Sequence, residues 1–141
     1  MVWGQTQRQA ASVLVGVGGL IYMTSQQKKQ RLKKKADKML QEIGRNLYDE
    51  CLVCGRPYTC LHHYFPKSVS YALRYNMKNC IPKCNGCHMS HHQKSDPRIH
   101  NIVNEVRGKV WLNRLEKAKQ VTVKDTIGYI EGIIESLKLG L

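Results

Sequence analysis

The chain has 141 residues, with 23 Lys and Arg against 10 Asp and Glu and a formal net charge of +13. This length predicts one domain with helical extensions. The charge predicts a polyanionic partner, either nucleic acid or an anionic surface, and argues against a small-molecule substrate. One Phe and two Trp exclude a large aromatic core in the middle of the chain, where a metal is therefore expected to stabilise the fold.

Residues 1–23 are predicted to form an apolar N-terminal arm. The apolar stretch 10–23 is shorter than the roughly 20 residues of a spanning helix, and Gly16, Gly18 and Gly19 weaken it as a helix. Most of the positive charge follows the stretch, the reverse of a signal peptide. We expect a packed or loosely ordered arm in preference to a membrane anchor.

Residues 24–47 are predicted to form a basic helix. Apolar residues recur there at three- and four-residue intervals, at positions 32, 36, 39, 40 and 43. Eight Lys and Arg stand against two acids. A single-sign charge run is often only a solvated face, but this excess favours contact with phosphates. The candidate DNA-binding residues are Lys28, Lys29, Arg31, Lys33, Lys34 and Lys35, with Lys67 and Lys83 from the next segment.

Residues 95–141 are predicted to form a helical C-terminal extension. Asp96 can cap a helix that begins at Pro97, and Gly108 is expected to end it. A short helix with Trp111 on its apolar stripe should follow. The last helix, capped by Thr122 or Asp125, should bury the apolar residues at 127, 130, 134 and 137.

Residues 48–94 carry two CxxC pairs with the spacing of zinc knuckles. Each short turn directs two sulfurs at one point, and four thiolates make the tetrahedral shell of a structural Zn²⁺. Three disulfides in a secreted protein are the alternative, but the knuckle spacing favours zinc in a reducing cytoplasm. Cys60 and Cys80 match no ligand position and are expected to be buried apolar residues. The predicted ligands are Cys51, Cys54, Cys84 and Cys87.

The histidines of the same segment form a second group. A strand within 58–65 would place His62 and His63 on opposite faces, so that one could face a metal and the other a water. A second strand should run through 80–83, with a helix beginning near His88. His88 and His92 are i and i+4 on that helix, the spacing that brings two imidazoles to one metal. Asn79 is placed to hold the intervening loop and the base by hydrogen bonds.

Together these motifs resemble the HNH endonuclease family and its ββα-metal fold. The match covers about residues 48–94 and rests on CxxC, then HHYFPKS, then NCIPKCNGCHMSHH. The resemblance implies an α+β fold, a small treble-clef-like zinc module between a basic N-terminal helix and C-terminal helices. It also implies that His63 is the general base and that Asn79 orients it. The catalytic metal would be bound by His62, His88 and His92, with His91 replacing His92 if the helix register differs.

A looser likeness, over about residues 28–120, is to the NinG (Rap) recombination proteins of bacteriophages. There too a basic helix leads into CxxCG, and a segment like that at 73–76 precedes the Asn and the second CxxC. This likeness implies a phage-encoded protein that acts on DNA in the cytoplasm of a bacterial host.

The sequence therefore predicts a metal-dependent DNA endonuclease for recombination or DNA processing. Many HNH enzymes have Asp where this chain has His62. An all-imidazole set suits Zn²⁺, Ni²⁺ or Mn²⁺ better than Mg²⁺, so the catalytic divalent metal stays open. A zinc-stabilised DNA-binding module without catalysis is the alternative, and a membrane-tethered accessory factor is a third interpretation that rests on residues 10–23 alone.

Overall fold

The computed structural model describes residues 22–94 and 97–140, and for 91–94 it covers the backbone alone. In this part of the chain the fold is α+β, with helices around a two-stranded antiparallel sheet. The predicted apolar arm lies outside the described residues, apart from its last two. The elements are α1 (Ser25–Leu47), β1 (Cys60–His63), a 3₁₀ turn (Met77–Asn79), β2 (Cys80–Lys83), α2 (Asn85–Lys94), α3 (Pro97–Lys119) and α4 (Ile127–Lys138).

Helix α1 matches the helix predicted over 24–47. It begins with a capping box, in which the Thr24 hydroxyl accepts from the Gln27 N–H at 3.1 Å and the Gln27 side chain accepts from the Thr24 N–H at 2.9 Å. Further along, the Gln41 amide pairs with both the N–H and the carbonyl of Leu61. The long basic helix is thereby fixed against strand β1.

Helices α1 and α4 pack against each other around one apolar cluster. Its buried members include Ala36 and Leu40 of α1 and Ile130, Ile134 and Leu137 of α4. The apolar stripe predicted for the last helix is confirmed at these three positions, because an amphipathic helix buries that face.

A second apolar cluster lies between the sheet and α3. It contains Tyr64, Ile81, Val103 and Leu115, with Trp111 packed against them. The sheet pairs His62 with Ile81 and His63 with Cys80. Because successive side chains alternate, the two neighbouring histidines lie on opposite faces of the sheet, as predicted.

The boundaries differ from the prediction at several places. Helix α2 begins at Asn85 rather than near His88, since the His88 N–H already bonds the Cys84 carbonyl and closes a first turn. The predicted stop at Gly108 is confirmed, because Gly108 has a non-helical backbone (φ 83°, ψ 168°) that divides α3 into two helical segments joined at a kink. The last helix is capped by Thr126, whose hydroxyl accepts from the Tyr129 N–H. The predicted cap at Asp96 lies outside the described residues.

No helix within the described ranges has the length and apolar character needed to cross a membrane.

Candidate functional site

The four predicted zinc ligands come together at the open end of the hairpin. The sulfurs of Cys51, Cys54, Cys84 and Cys87 all lie within 4.8 Å of one another. Cys54 Sγ and Cys84 Sγ are 3.6 Å apart. Tetrahedral thiolates bound at about 2.3 Å from zinc would be separated by about 3.8 Å, a spacing close to that of the cluster. These four residues could therefore hold a structural metal such as zinc.

Local backbone geometry explains why the cysteines converge. The first pair lies in a tight turn in which the Gly55 N–H bonds the Cys51 carbonyl at 2.9 Å, and Gly55 adopts a φ of 73° that favours glycine. The second pair spans the junction of β2 and α2, where the Cys87 N–H donates to Cys84 Sγ at 3.4 Å. Strand and helix together fix the direction of this knuckle.

Lys83 does not lie on the predicted DNA-binding surface. Its side chain is only 1 % exposed, because strand β2 directs it into the interior beside the cysteine cluster. Burial lowers the pKa of Lys83 to about 8, while the neighbouring Cys51, Cys87 and Cys60 act in the opposite direction. Lys83 is a buried cation next to the cysteine cluster and is not available to contact a phosphate.

The two cysteines that match no zinc-ligand position differ in burial. Cys80 is fully buried within the α1–α4 cluster, and this burial raises the pKa of its thiol to about 12. Cys60 is half-buried, and its pKa is also raised by burial. Neither belongs to the group of four sulfurs.

His62 and His88 lie side by side between the sheet and α2. Their ring centroids are 5.2 Å apart at an interplanar angle of 67°, and His62 is 8 % exposed. His88 belongs to the first turn of α2, directly after the second knuckle, so the helix that completes the cysteine cluster also presents this imidazole. The backbone of His92 follows one turn later, but the side chains of His91 and His92 lie outside the described residues.

His63 is held on the other face of the sheet by a backbone carbonyl. Its Nε2 lies 2.6 Å from the Arg74 carbonyl oxygen. Because a carbonyl only accepts, Nε2 carries the proton and Nδ1 has a lone pair that can receive one. Burial lowers the pKa of His63, and the hydrogen bond to Arg74 partly opposes this. The ring is therefore neutral and oriented.

Asn79 holds the loop that carries Arg74. It is fully buried; its Oδ1 accepts from the Phe65 N–H at 2.9 Å, and its Nδ2 donates to the carbonyls of Phe65 at 3.0 Å and Leu73 at 3.3 Å. These bonds join both ends of the loop 66–76 to the hairpin. The predicted tether is present, but it reaches His63 through the loop and not by a direct bond.

Asp37 of α1 was missed by the sequence reasoning. Its carboxylate lies 2.8 Å from the Arg74 guanidinium and 3.2 Å from the Lys67 ammonium. The loop whose carbonyl orients His63 is thus also fixed to the basic helix. The only signal in the sequence was one acid within a run of lysines, which does not reveal a partner so far along the chain.

The predicted cationic residues divide into paired and unpaired sets. Lys29 and Lys33 contact Asp125 at 3.5 and 2.7 Å, and Lys28 contacts Glu131 at 3.1 Å. These contacts turn one side of α1 toward α4. Within the described ranges no salt bridge involves Arg31, Lys34 or Lys35, all of which are exposed.

No family model, curated protein or solved structure matches this chain.

Proposed function

We propose that the chain is a metal-dependent HNH-type endonuclease that hydrolyses DNA phosphodiester bonds. The observation that supports this most is the arrangement around the hairpin. His62 and His88 meet between strand β1 and helix α2. His63, the next residue of the same strand, is oriented by the Arg74 carbonyl. Under this proposal the hairpin, α2 and the cysteine cluster make up the ββα-metal, treble-clef-like module.

His63 has the protonation state that a general base requires, a neutral ring with a lone pair on Nδ1. Its Nδ1 would take a proton from water as the water oxygen attacks phosphorus and the bond to the 3′ oxygen breaks. The leaving 3′ oxygen would take up a proton from solvent, so the products would be 5′-phosphate and 3′-hydroxyl ends. Because Arg74 holds the neutral ring in one orientation, less entropy is lost when Nδ1 is aligned with the attacking water.

His62 and His88, with His92 as the third residue, would hold the catalytic ion. Such an ion would supply positive charge to the phosphate and its leaving oxygen. The chemistry of an imidazole set favours Zn²⁺, Ni²⁺ or Mn²⁺ over Mg²⁺.

The exposed residues Arg31, Lys34 and Lys35 would contact the DNA backbone. Such contacts position DNA without reading its sequence, so cleavage should be nonspecific, nicking or structure-selective. The looser resemblance extends the proposal to phage recombination or DNA processing inside a bacterial host.

Cleavage of supercoiled plasmid by zinc-loaded protein tests the proposal. We expect nicked and linear DNA when Mn²⁺, Ni²⁺ or Mg²⁺ is added and intact plasmid in EDTA. The His63→Ala protein, purified in parallel, controls for contaminating nucleases. Tight DNA binding without cleavage under every metal would favour the alternative, a non-catalytic zinc-stabilised DNA-binding module.

A further inference from the structure

A groove with an apolar floor and a cationic rim lies between α3 and the 3₁₀ turn before β2. Its volume is about 480 Å³, within the range of sites that hold small organic groups. Its apolar lining, called the floor here, includes Trp111 and Val110. Three cations line it, namely Lys78, Arg107 and Arg114.

The rim charges are not neutralised by the protein. In the described part of the chain none of the three cations forms a salt bridge, and Lys78 and Arg114 are exposed. Arg107 donates to the Cys80 carbonyl at 3.4 Å, and its guanidinium carbon lies 5.8 Å from the centre of the Trp111 ring. A guanidinium in a cation–π contact with an indole retains its charge.

The floor is rigid. The Trp111 indole N–H donates to the Lys78 carbonyl at 2.8 Å, and the Tyr64 ring meets it edge-on at 5.0 Å. Val110 is 66 % exposed beside it.

This combination selects among nucleic-acid forms. A duplex presents phosphates with its bases stacked inside, and exposed lysines alone suffice to contact it. An unpaired nucleotide presents a phosphate together with a free base face, and it needs both cations and a stacking surface. The groove supplies both.

The groove begins next to the proposed catalytic base. Arg107 bonds the carbonyl of Cys80, and Cys80 is the cross-strand partner of His63. The groove therefore adjoins the strand pair that carries His63.

We propose that this groove binds an unpaired single-stranded segment of nucleic acid. The binding itself follows from the groove, whereas its link to cleavage rests on the proposed endonuclease function. The preferred substrate would then contain an unpaired segment near the scissile bond.

Fluorescence of Trp111 tests this directly. The chain has two tryptophans, so Trp3→Phe leaves Trp111 as the only one, and His63→Ala prevents cleavage. Zinc-loaded protein with both substitutions is titrated with a 12-residue oligothymidylate. We expect saturable quenching of Trp111, and weaker quenching by an equal concentration of a 12-base-pair duplex.

Rim substitutions supply the matched comparison. Lys78→Ala with Arg114→Ala should weaken binding of the oligothymidylate about tenfold and reduce the log–log salt slope by about 1.4, the value for two phosphate contacts on a single strand. Lys109→Ala with Lys117→Ala removes the same charge from exposed positions of α3 that do not line the groove. This control should change the affinity less than about twofold.

Equal quenching by duplex, equal binding of a polyglutamate peptide, or rim variants that bind like the control would each overturn the groove proposal. Plasmid cleavage separates it from the proposed function. Plasmid cleavage without Trp111 quenching would contradict only the groove proposal. Quenching without plasmid cleavage would contradict only the proposed endonuclease function.

Discussion

His63, Arg74 and Asp37 form a continuous series of contacts from the centre of the sheet to helix α1. The imidazole bonds the Arg74 carbonyl, and the Arg74 side chain bonds Asp37 at 2.8 Å. The Asp37 carboxylate contacts Arg74 and Lys67, and it acts on His63 through Arg74. We therefore regard it as a positioning residue that keeps the loop, and with it the candidate base, in place.

Replacing Asp37 by Ala should lower the cleavage rate by about tenfold, less than the roughly 10²–10⁴-fold expected for loss of the base itself. DNA affinity should not fall, because the change releases the positive charges of Arg74 and Lys67. Single-turnover cleavage and a binding titration measure the two effects separately. Glu42→Ala is the control on the same helix, since among the described residues the ion pair of Glu42 is with Lys38, at 4.0 Å. If the two variants cut equally well, Asp37 has no positioning role.

Burial changes the role expected of Lys83. It was grouped with the DNA-binding cations because of its charge, but strand β2 directs it inward beside the cysteines. Four thiolates around one Zn²⁺ leave a net charge of about −2. A buried ammonium next to them offsets part of that charge.

The two knuckles join the turn at 51–55, the β1–β2 hairpin and helix α2 into one unit. Apparent zinc-binding energies of about 10–16 kcal/mol are comparable to the whole stability of a small domain. We expect this unit to unfold when the metal is removed.

Cys54→Ala should abolish stoichiometric zinc and unfold the module. Because Cys54 is exposed, the substitution removes a ligand while losing little packing. Cys60→Ala should retain one zinc per chain, since its sulfur lies outside the group of four. Metal analysis with thermal denaturation measures both. A zinc-free Cys54→Ala protein with an unchanged melting curve would contradict a structural role for the site.

Helix α1 has one side turned toward α4 and another that is open. Lys34→Ala with Lys35→Ala should reduce the salt slope for duplex DNA by about 1.8, as expected for two lost phosphate contacts. Lys29→Ala with Lys33→Ala should change the slope far less, because both ammonium groups contact Asp125. The latter pair should instead cost about 1 kcal/mol or less in stability. Equal slopes for the two double variants would show that this helix does not distinguish its two sides in DNA binding.

Local patterns predicted the elements well where the signal is periodic. The apolar positions of α1 and α4 follow from helical spacing, and the cysteine cluster follows from CxxC turns. The break at Gly108 was predicted from the glycine itself. The cap at Thr126 was missed, because several residues nearby satisfy the same local rules.

Long-range contacts could not be predicted in this way. Nothing in the local sequence indicates that Asp37 reaches Arg74, that Gln41 pairs with Leu61, or that Lys83 is buried. These depend on how α1 and the loop pack on the sheet. The groove at Trp111 likewise exists only because α3 lies over the 3₁₀ turn.

The most direct test of the central claim compares His63→Ala with His62→Ala. As a base on the face away from His88, His63 should be dispensable for metal and DNA binding. His63→Ala should therefore bind Mn²⁺ and DNA like the unsubstituted protein while cutting roughly 10²–10⁴-fold more slowly. His62→Ala should lose the catalytic ion but keep the zinc of the four cysteines, and excess metal should partly restore cleavage. A His63→Ala protein that cuts normally beside a metal-loaded but inactive His62→Ala protein would reverse the two roles. Normal cleavage by both would contradict the HNH mechanism.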